Sequence, residues 1–270
     1  MKILIKIAFT LSLTVCAHGE MRTWTSLPEK TIEAEYVKIL FDDIILKDAD
    51  GRELKILMQL FSGEDLKYLE LANPPTLSVD FMKSADQDFV PDTPFDTGGP
   101  LPESPTLLIY TFGARVKQRD AKTYEYPLQL EIYAFTQQRY DPDKYHLICR
   151  TESEPFVLSS ENGRRYEFTG PHRHQVLSYT LYVNYLSWEE LRGEKFAESL
   201  VVVRDERGEI VAYNTTKNWL YDNLENLEKL PVGAWMDRNA NERIPHHRNP
   251  QKPRVPAGFN GNHRLRPARK

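Results

Sequence analysis

The chain has 270 residues, 40% of them hydrophobic, which excludes a chain too small or too polar for a packed core and allows one large domain or two modest ones. Eighteen prolines against thirteen glycines favour turn-rich β structure over long helices. The formal charge of −4 hides an asymmetry: residues 243–270 hold eight Lys/Arg and no Asp/Glu, and with these and the two lysines of the first nineteen residues set aside the stretch between carries −14.

Residues 1–19 have the pattern of a cleaved signal peptide. Lys2 and Lys6 precede an apolar run from Ile7 to Ala17, and Ala17-His18-Gly19 is a small-x-small cleavage site. The run is shorter than the roughly 20 residues a spanning helix needs, so the mature chain is expected to lack a transmembrane helix and to be secreted or periplasmic. Cys16, after Leu13-Thr14-Val15, offers the alternative of a lipoprotein, although Val15 is larger than the residue usual there. Cleavage after Gly19 leaves one cysteine, Cys149, and therefore no internal disulfide.

A compact β unit is expected over residues 20–72. Ile32, Ala34 and Tyr36 alternate with Glu33 and Glu35, the pattern of a half-buried strand. A second strand at Ile44 to Lys47 turns at Asp48-Ala49-Asp50-Gly51 into a third carrying Leu54, Ile56 and Met58. Ser62 caps a short helix that Asp65 answers, with Leu66 and Leu69 on one face and Asn73-Pro74-Pro75 as its stop. So short a sheet hides its edges by closing into a small barrel.

The run Arg22-Thr23-Trp24-Thr25, then Ile32-Glu33-Ala34-Glu35-Tyr36-Val37, Ile45-Leu46-Lys47, Asp50-Gly51 and Ser62-x-x-Asp65-x-x-Tyr68-Leu69 resembles Sla-one homology domain 1, a family first known from a yeast endocytic adaptor. Related copies occur in exported proteins of planctomycete and verrucomicrobial bacteria. The resemblance implies an SH3-like barrel and a protein or peptide ligand, which in the adaptor is an Asn-Pro-Phe-x-Asp peptide. Leu57 stands where many copies have Pro, and Leu60 where a polar residue is usual. Arg22, Trp24, Lys47 and Arg52 are the candidate ligand-binding residues. An indole face and a guanidinium form a platform for a carboxylate; the competing reading makes Trp24 a core residue with Arg22 across its edge. Pro94-Phe95-Asp96 partly echoes the adaptor's peptide and reads more simply as a proline turn.

Residues 73–105 read as a short strand, Thr76 to Met82, and a Pro/Gly/Asp-rich loop. Residues 106–242 carry many short strands, the pattern of a β-sandwich-like domain. In one of them Leu128, Leu130, Ile132 and Ala134 are expected to point inward and Gln129, Glu131 and Tyr133 outward. A hairpin turns at Arg207-Gly208. Two short helices are expected: one at Ser187 to Glu194, from the capping pair Ser187 and Glu190, and one placing Leu220, Leu224 and Leu227 on a face. The fold class is thus mainly β, a small SH3-like barrel followed by a sandwich-like domain with one or two short helices.

No Gly-x-Ser-x-Gly, P-loop, dinucleotide loop or His-Glu-x-x-His occurs, so no catalytic residue and no cofactor is assigned. Cys149 and His146 are three apart on a strand and face opposite sides. His172 and His174 are spaced to share a strand face, but no Cys, Asp or Glu completes a metal set, and a turn accounts for them. Asp237, Asn239 and Asn241 begin like a calcium loop, yet Glu242 takes the turn glycine's place and Arg248 that of the bidentate Glu. No metal is therefore expected. The basic stretch 243–270 reads as a disordered tail that could touch an anionic envelope component, and export argues against nucleic acid. The expected role is a non-catalytic binding, adaptor or structural protein of the cell envelope. The alternatives are an envelope-polymer hydrolase and a carbohydrate-binding protein with its site in the second domain.

Overall fold

A computed structural model of the chain describes residues 21–26, 30–89, 106–183 and 188–243. Residues 1–19 with Cys16, Pro94-Phe95-Asp96, Ser187 and residues 244–270 with Arg248, on all of which expectations from the sequence fall, lie outside the described residues. The fold is mainly β, a four-stranded antiparallel sheet followed by an eight-stranded one, with few short helices. The chain divides between Pro74 and Pro75 into two compact units. No helix among the described residues is long and apolar enough to cross a membrane.

In the first unit β1 (Met21–Ser26), β2 (Lys30–Leu40), β3 (Asp43–Asp48) and β4 (Glu53–Leu57) pair in chain order. A single 3-10 turn (Met58–Leu60) brings Phe61 back to bridge Ser26 of β1, and α1 (Gly63–Ala72) follows. That bridge closes the sheet into the expected small barrel. The alternating residues supply its core: Trp24, Ala34, Ile44, Leu46, Phe61 and Leu69 are buried together, with Ile32, Tyr36, Leu54 and Ile56 packed around them. The β3–β4 turn works because Gly51 takes φ +80° and donates its N–H to Asp48 O at 2.9 Å. Ser62 caps α1 as the sequence predicts, accepting the N–H of Asp65. Asn73 ends the helix and joins it to β2 through the Tyr36 hydroxyl at 2.8 Å.

The second unit contains β5 (Leu77–Phe89), β6 (Thr106–Gln118), β7 (Leu128–Gln138), β8 (Tyr145–Glu152), β9 (Arg165–Val183), β10 (Trp188–Asp205), β11 (Ile210–Thr215), α2 (Asn218–Asp222), α3 (Leu224–Leu227) and β12 (Trp235–Met236). The strand order is β12-β8-β7-β10-β9-β6-β5, with β11 also on β10. Strand β10 changes partner at Gly193, from β9 over Trp188–Gly193 to β7 from Glu194 onward. The two halves of the sheet meet face to face, which makes the unit sandwich-like. Phe81 of β5 stacks on Phe196 of β10 at 5.9 Å, and Asn214 of β11 donates to Val79 O of β5 at 2.6 Å. Helices α2 and α3 cover the outer face of β7, β8 and β10, packing Leu220, Leu224 and Leu227 on Tyr133, Phe135, Leu147 and Val202.

Four expectations are corrected. The segment from Trp188 forms strand rather than helix, because cross-strand pairing with Ser178 to Val183 outweighs a local capping pattern. His172 and His174 lie inside β9, not in a turn. Lys83 to Phe89 continues β5 rather than opening a loop; Lys83 to Asp88 are exposed on an edge strand, so no apolar alternation marks them. Tyr133 does not face water: the helical layer buries it completely, and Glu131 beside it is 6% exposed and held by Arg150 at 2.8 Å.

Candidate functional site

Arg22 and Trp24 leave β1 on the side that receives α1. The Trp24 indole is fully buried. Its N–H donates to Ala34 O at 2.8 Å, and Phe61 and Tyr68 meet it edge-on at 5.6 and 5.5 Å. The indole is the centre of this unit's core. The Arg22 guanidinium lies 4.3 Å from the Tyr68 ring centroid and donates to Asp65 Oδ1 at 2.7 Å. Asp65, 2% exposed, also accepts the Thr25 N–H at 2.7 Å and the Ser62 hydroxyl at 2.8 Å. The carboxylate thus latches β1 to the start of α1, and Arg22 serves the latch. Lys47 and Arg52, in contrast, are exposed at the β3–β4 hairpin, where Arg52 makes only a loose 3.8 Å pair with Asp50.

The opposite hairpin carries a feature the sequence did not announce. Six of the nine large hydrophobic residues exposed among those described belong to the barrel, although it is the smaller unit. Phe41, in the two-residue β2–β3 turn, is 89% exposed and holds φ +56°. Left-handed backbone costs a non-glycine residue about 1 kcal/mol or more, and an exposed ring returns none of it. Leu40, Asp43 and Leu57 stand opposite one another across β2, β3 and β4, so their side chains share a face. Leu40 and Leu57 are 42% and 43% exposed, and Leu60 on the following 3-10 turn is 40% exposed. The Met58 N–H fastens that turn to Asp42 O at 2.9 Å, beside Phe41. An apolar patch therefore surrounds the hairpin tip.

Several groupings in the second unit have the ingredients of chemistry without its geometry. Cys149 lies against Phe112, Thr151, His172 and His174 in a crevice with no room for a water molecule. Burial pushes its thiol up to about 11, so it is a protonated packing residue near neutral pH. His146 does not approach it; the imidazole pairs with Glu194 at 2.9 Å and stacks on Trp235 at 4.5 Å. The Thr136 hydroxyl also donates to Glu194, but Thr136 is wholly buried, out of a substrate's reach. Among the described residues no group of three His, Cys, Asp or Glu gathers around His172 and His174. Asp237 organises its own turn. Burial pushes its carboxyl up, but hydrogen bonds from Arg243, Asn241 and Asn239 outweigh this and hold it below the ordinary value. Its oxygens are thereby occupied by the turn and by Arg243 at 2.7 Å.

No family model and no curated protein matches the chain. A solved structure from Akkermansia muciniphila is similar over 53% of this chain and 70% of its own, at 15% identity and a TM-score of 0.22. Likeness that weak carries no inference about fold or function.

Proposed function

We propose that this chain is a non-catalytic binding protein of the cell envelope, in which the barrel docks a protein or peptide at the hairpin tip around Phe41. The observation that carries the reading is Phe41 itself, an aromatic ring 89% exposed on left-handed backbone and flanked by exposed Leu40, Leu57 and Leu60. A Phe side chain buries about 150–250 Å² in a contact. Burying the Phe side chain fully is worth about 1.5–3 kcal/mol, and Leu40, Leu57 and Leu60 around it add to the anchor. The resemblance to Sla-one homology domain 1 supports a peptide as the partner. Leu57 and Leu60, where this sequence departs from the family pattern, are both in the patch, so the bound peptide differs from the adaptor's. Export to the envelope rests on the N-terminal pattern.

The test is a selection of random peptides on the mature chain, followed by titration against Phe41→Asp. Related peptides that bind the parent and lose about tenfold or more in the variant support docking there. Peptides that bind both proteins equally contradict it. One observation favours a second reading, carbohydrate binding: Tyr213 is 48% exposed and stacked on Tyr221 at 3.7 Å. Polysaccharide retention lost in Tyr213→Ala would support that reading.

A further inference from the structure

The outer face of β5, β6 and β9 carries an open groove of about 590 Å³ lined by charged side chains. Strand register sorts those charges into rungs. Asp80, Arg115 and Glu167 stand opposite one another across the three strands. Two residues along, Ser78, Lys117 and Arg165 form the next rung. Residues directly opposite in an antiparallel pair share a face, and successive rungs on one face are about 7 Å apart.

The two rungs are electrostatically unlike. In the first, Arg115 gives both Nε and a terminal nitrogen to one oxygen of Glu167, at 3.0 and 2.8 Å. In the second, two cations face each other and no carboxylate answers them. Arg119 adds a third, its guanidinium donating to the Ser78 hydroxyl at 2.8 Å. Among the described residues none of Lys117, Arg119 and Arg165 lies within ion-pair distance of an acid. Like charges directly opposite destabilise a sheet, and this cluster sits on a protein of net charge −4. A repulsive cluster of this kind is relieved by a bound anion.

We propose that this groove binds a small phosphorylated saccharide. The phosphate lies between Lys117, Arg119 and Arg165, where guanidinium forks meet a tetrahedral oxyanion. The sugar hydroxyls lie one rung away and donate to Asp80 and to Glu167. Charge complementarity selects the anionic end, and the two carboxylates select a neighbour rich in hydroxyls over a bare anion. The volume is in the range of small-molecule sites, about 300–1,000 Å³.

Calorimetric titration of the full chain at fixed low ionic strength, with glucose 6-phosphate, inorganic phosphate and glucose as probes, tests this. Glucose 6-phosphate is expected to bind about fivefold or more tighter than phosphate, and glucose alone not to bind. The double variant Lys117→Gln/Arg165→Gln is expected to weaken both anions by about tenfold or more. Relief of the repulsion is expected to leave its Tm in phosphate-free buffer no lower than the parent's, which separates lost binding from lost folding. Asp80→Asn removes a carboxylate that repels the phosphate as well as the acceptor of the sugar hydroxyls, so it is expected to tighten inorganic phosphate and to bring the ratio of glucose 6-phosphate to phosphate affinity toward one. No binding by the parent, equal affinity for phosphate and glucose 6-phosphate, or undiminished binding in the double variant overturns the proposal.

Discussion

Asp65→Ala removes the latch that ties β1 to α1, and its cost follows from what the carboxylate holds. Three groups lose their acceptor: the Arg22 guanidinium, the Thr25 N–H and the Ser62 hydroxyl. The Arg22 side chain is 31% exposed and turns to water, so its share is discounted to about 1 kcal/mol. The Thr25 N–H, only partly shielded, costs about 1–2 kcal/mol without a partner. The Ser62 hydroxyl loses its acceptor, although its oxygen still caps the helix, at about 1 kcal/mol. The total, about 3–4 kcal/mol, rivals the whole stability expected of a unit this small, roughly 3–8 kcal/mol at 0.05–0.15 kcal/mol per residue. The assay is urea unfolding of residues 20–74, in which Trp24 is the only tryptophan and reports from the core. The variant is expected to be largely unfolded in water or to unfold at much lower urea. Asp65→Asn, which keeps one acceptor oxygen, should fall between. An unchanged midpoint would refute the latch.

Other consequences are as specific. Gly193→Ala places a Cβ 2.1 Å from Leu177 O at φ +80°, where β10 changes partner, and is expected to cost the second unit about 3 kcal/mol or more in thermal unfolding. Cys149, buried and raised to about 11, is expected to resist iodoacetamide at pH 8 in the native protein and to react rapidly in urea; rapid native labelling would contradict its burial. His174 gives the second unit a pH dependence: burial pushes its imidazole below the ordinary value, His172 adds to this, and a hydrogen bond with the Ile148 backbone opposes it. The unfolded chain then takes up the proton first, so this stability is complete above about pH 6.5 and declines as pH falls from there through the folded value. Tm should drop over that window, and His174→Gln should flatten the drop.

The barrel was legible because its signals are local. Period-two alternation at Ile32, Ala34 and Tyr36, the Asp50-Gly51 turn and the Ser62–Asp65 cap each specify backbone within a few residues. What sequence missed depends on partners distant along the chain. Tyr133 reads as outward until α2 and α3, more than eighty residues later, are known to cover it. The capping pattern after Trp188 yields to a strand pairing that the local signal does not encode. Phe41 escapes notice because Phe-Asp lacks the glycine that usually marks a tight hairpin turn. Arg115, Lys117 and Arg119 alternate visibly in the sequence, but only the register shows that Lys117 faces another cation in Arg165 rather than an acid. Arg22 and Trp24 could be read either way from sequence. The 2.8 Å bond from the indole to Ala34 O and the 2.7 Å bond from Arg22 to Asp65 place both in the architecture of the barrel.

A core of its own around Trp24 and an apolar patch at Phe41 imply a first unit that folds alone and carries an apolar surface outward. Amide proton spectroscopy of residues 20–74, produced without the rest of the chain, tests it most directly. A dispersed spectrum in which the amides of Trp24, Ala34 and Leu46 exchange slowly while that of Phe41 exchanges freely is the predicted result. A narrow, rapidly exchanging spectrum, unchanged by salt or lower temperature, would contradict it.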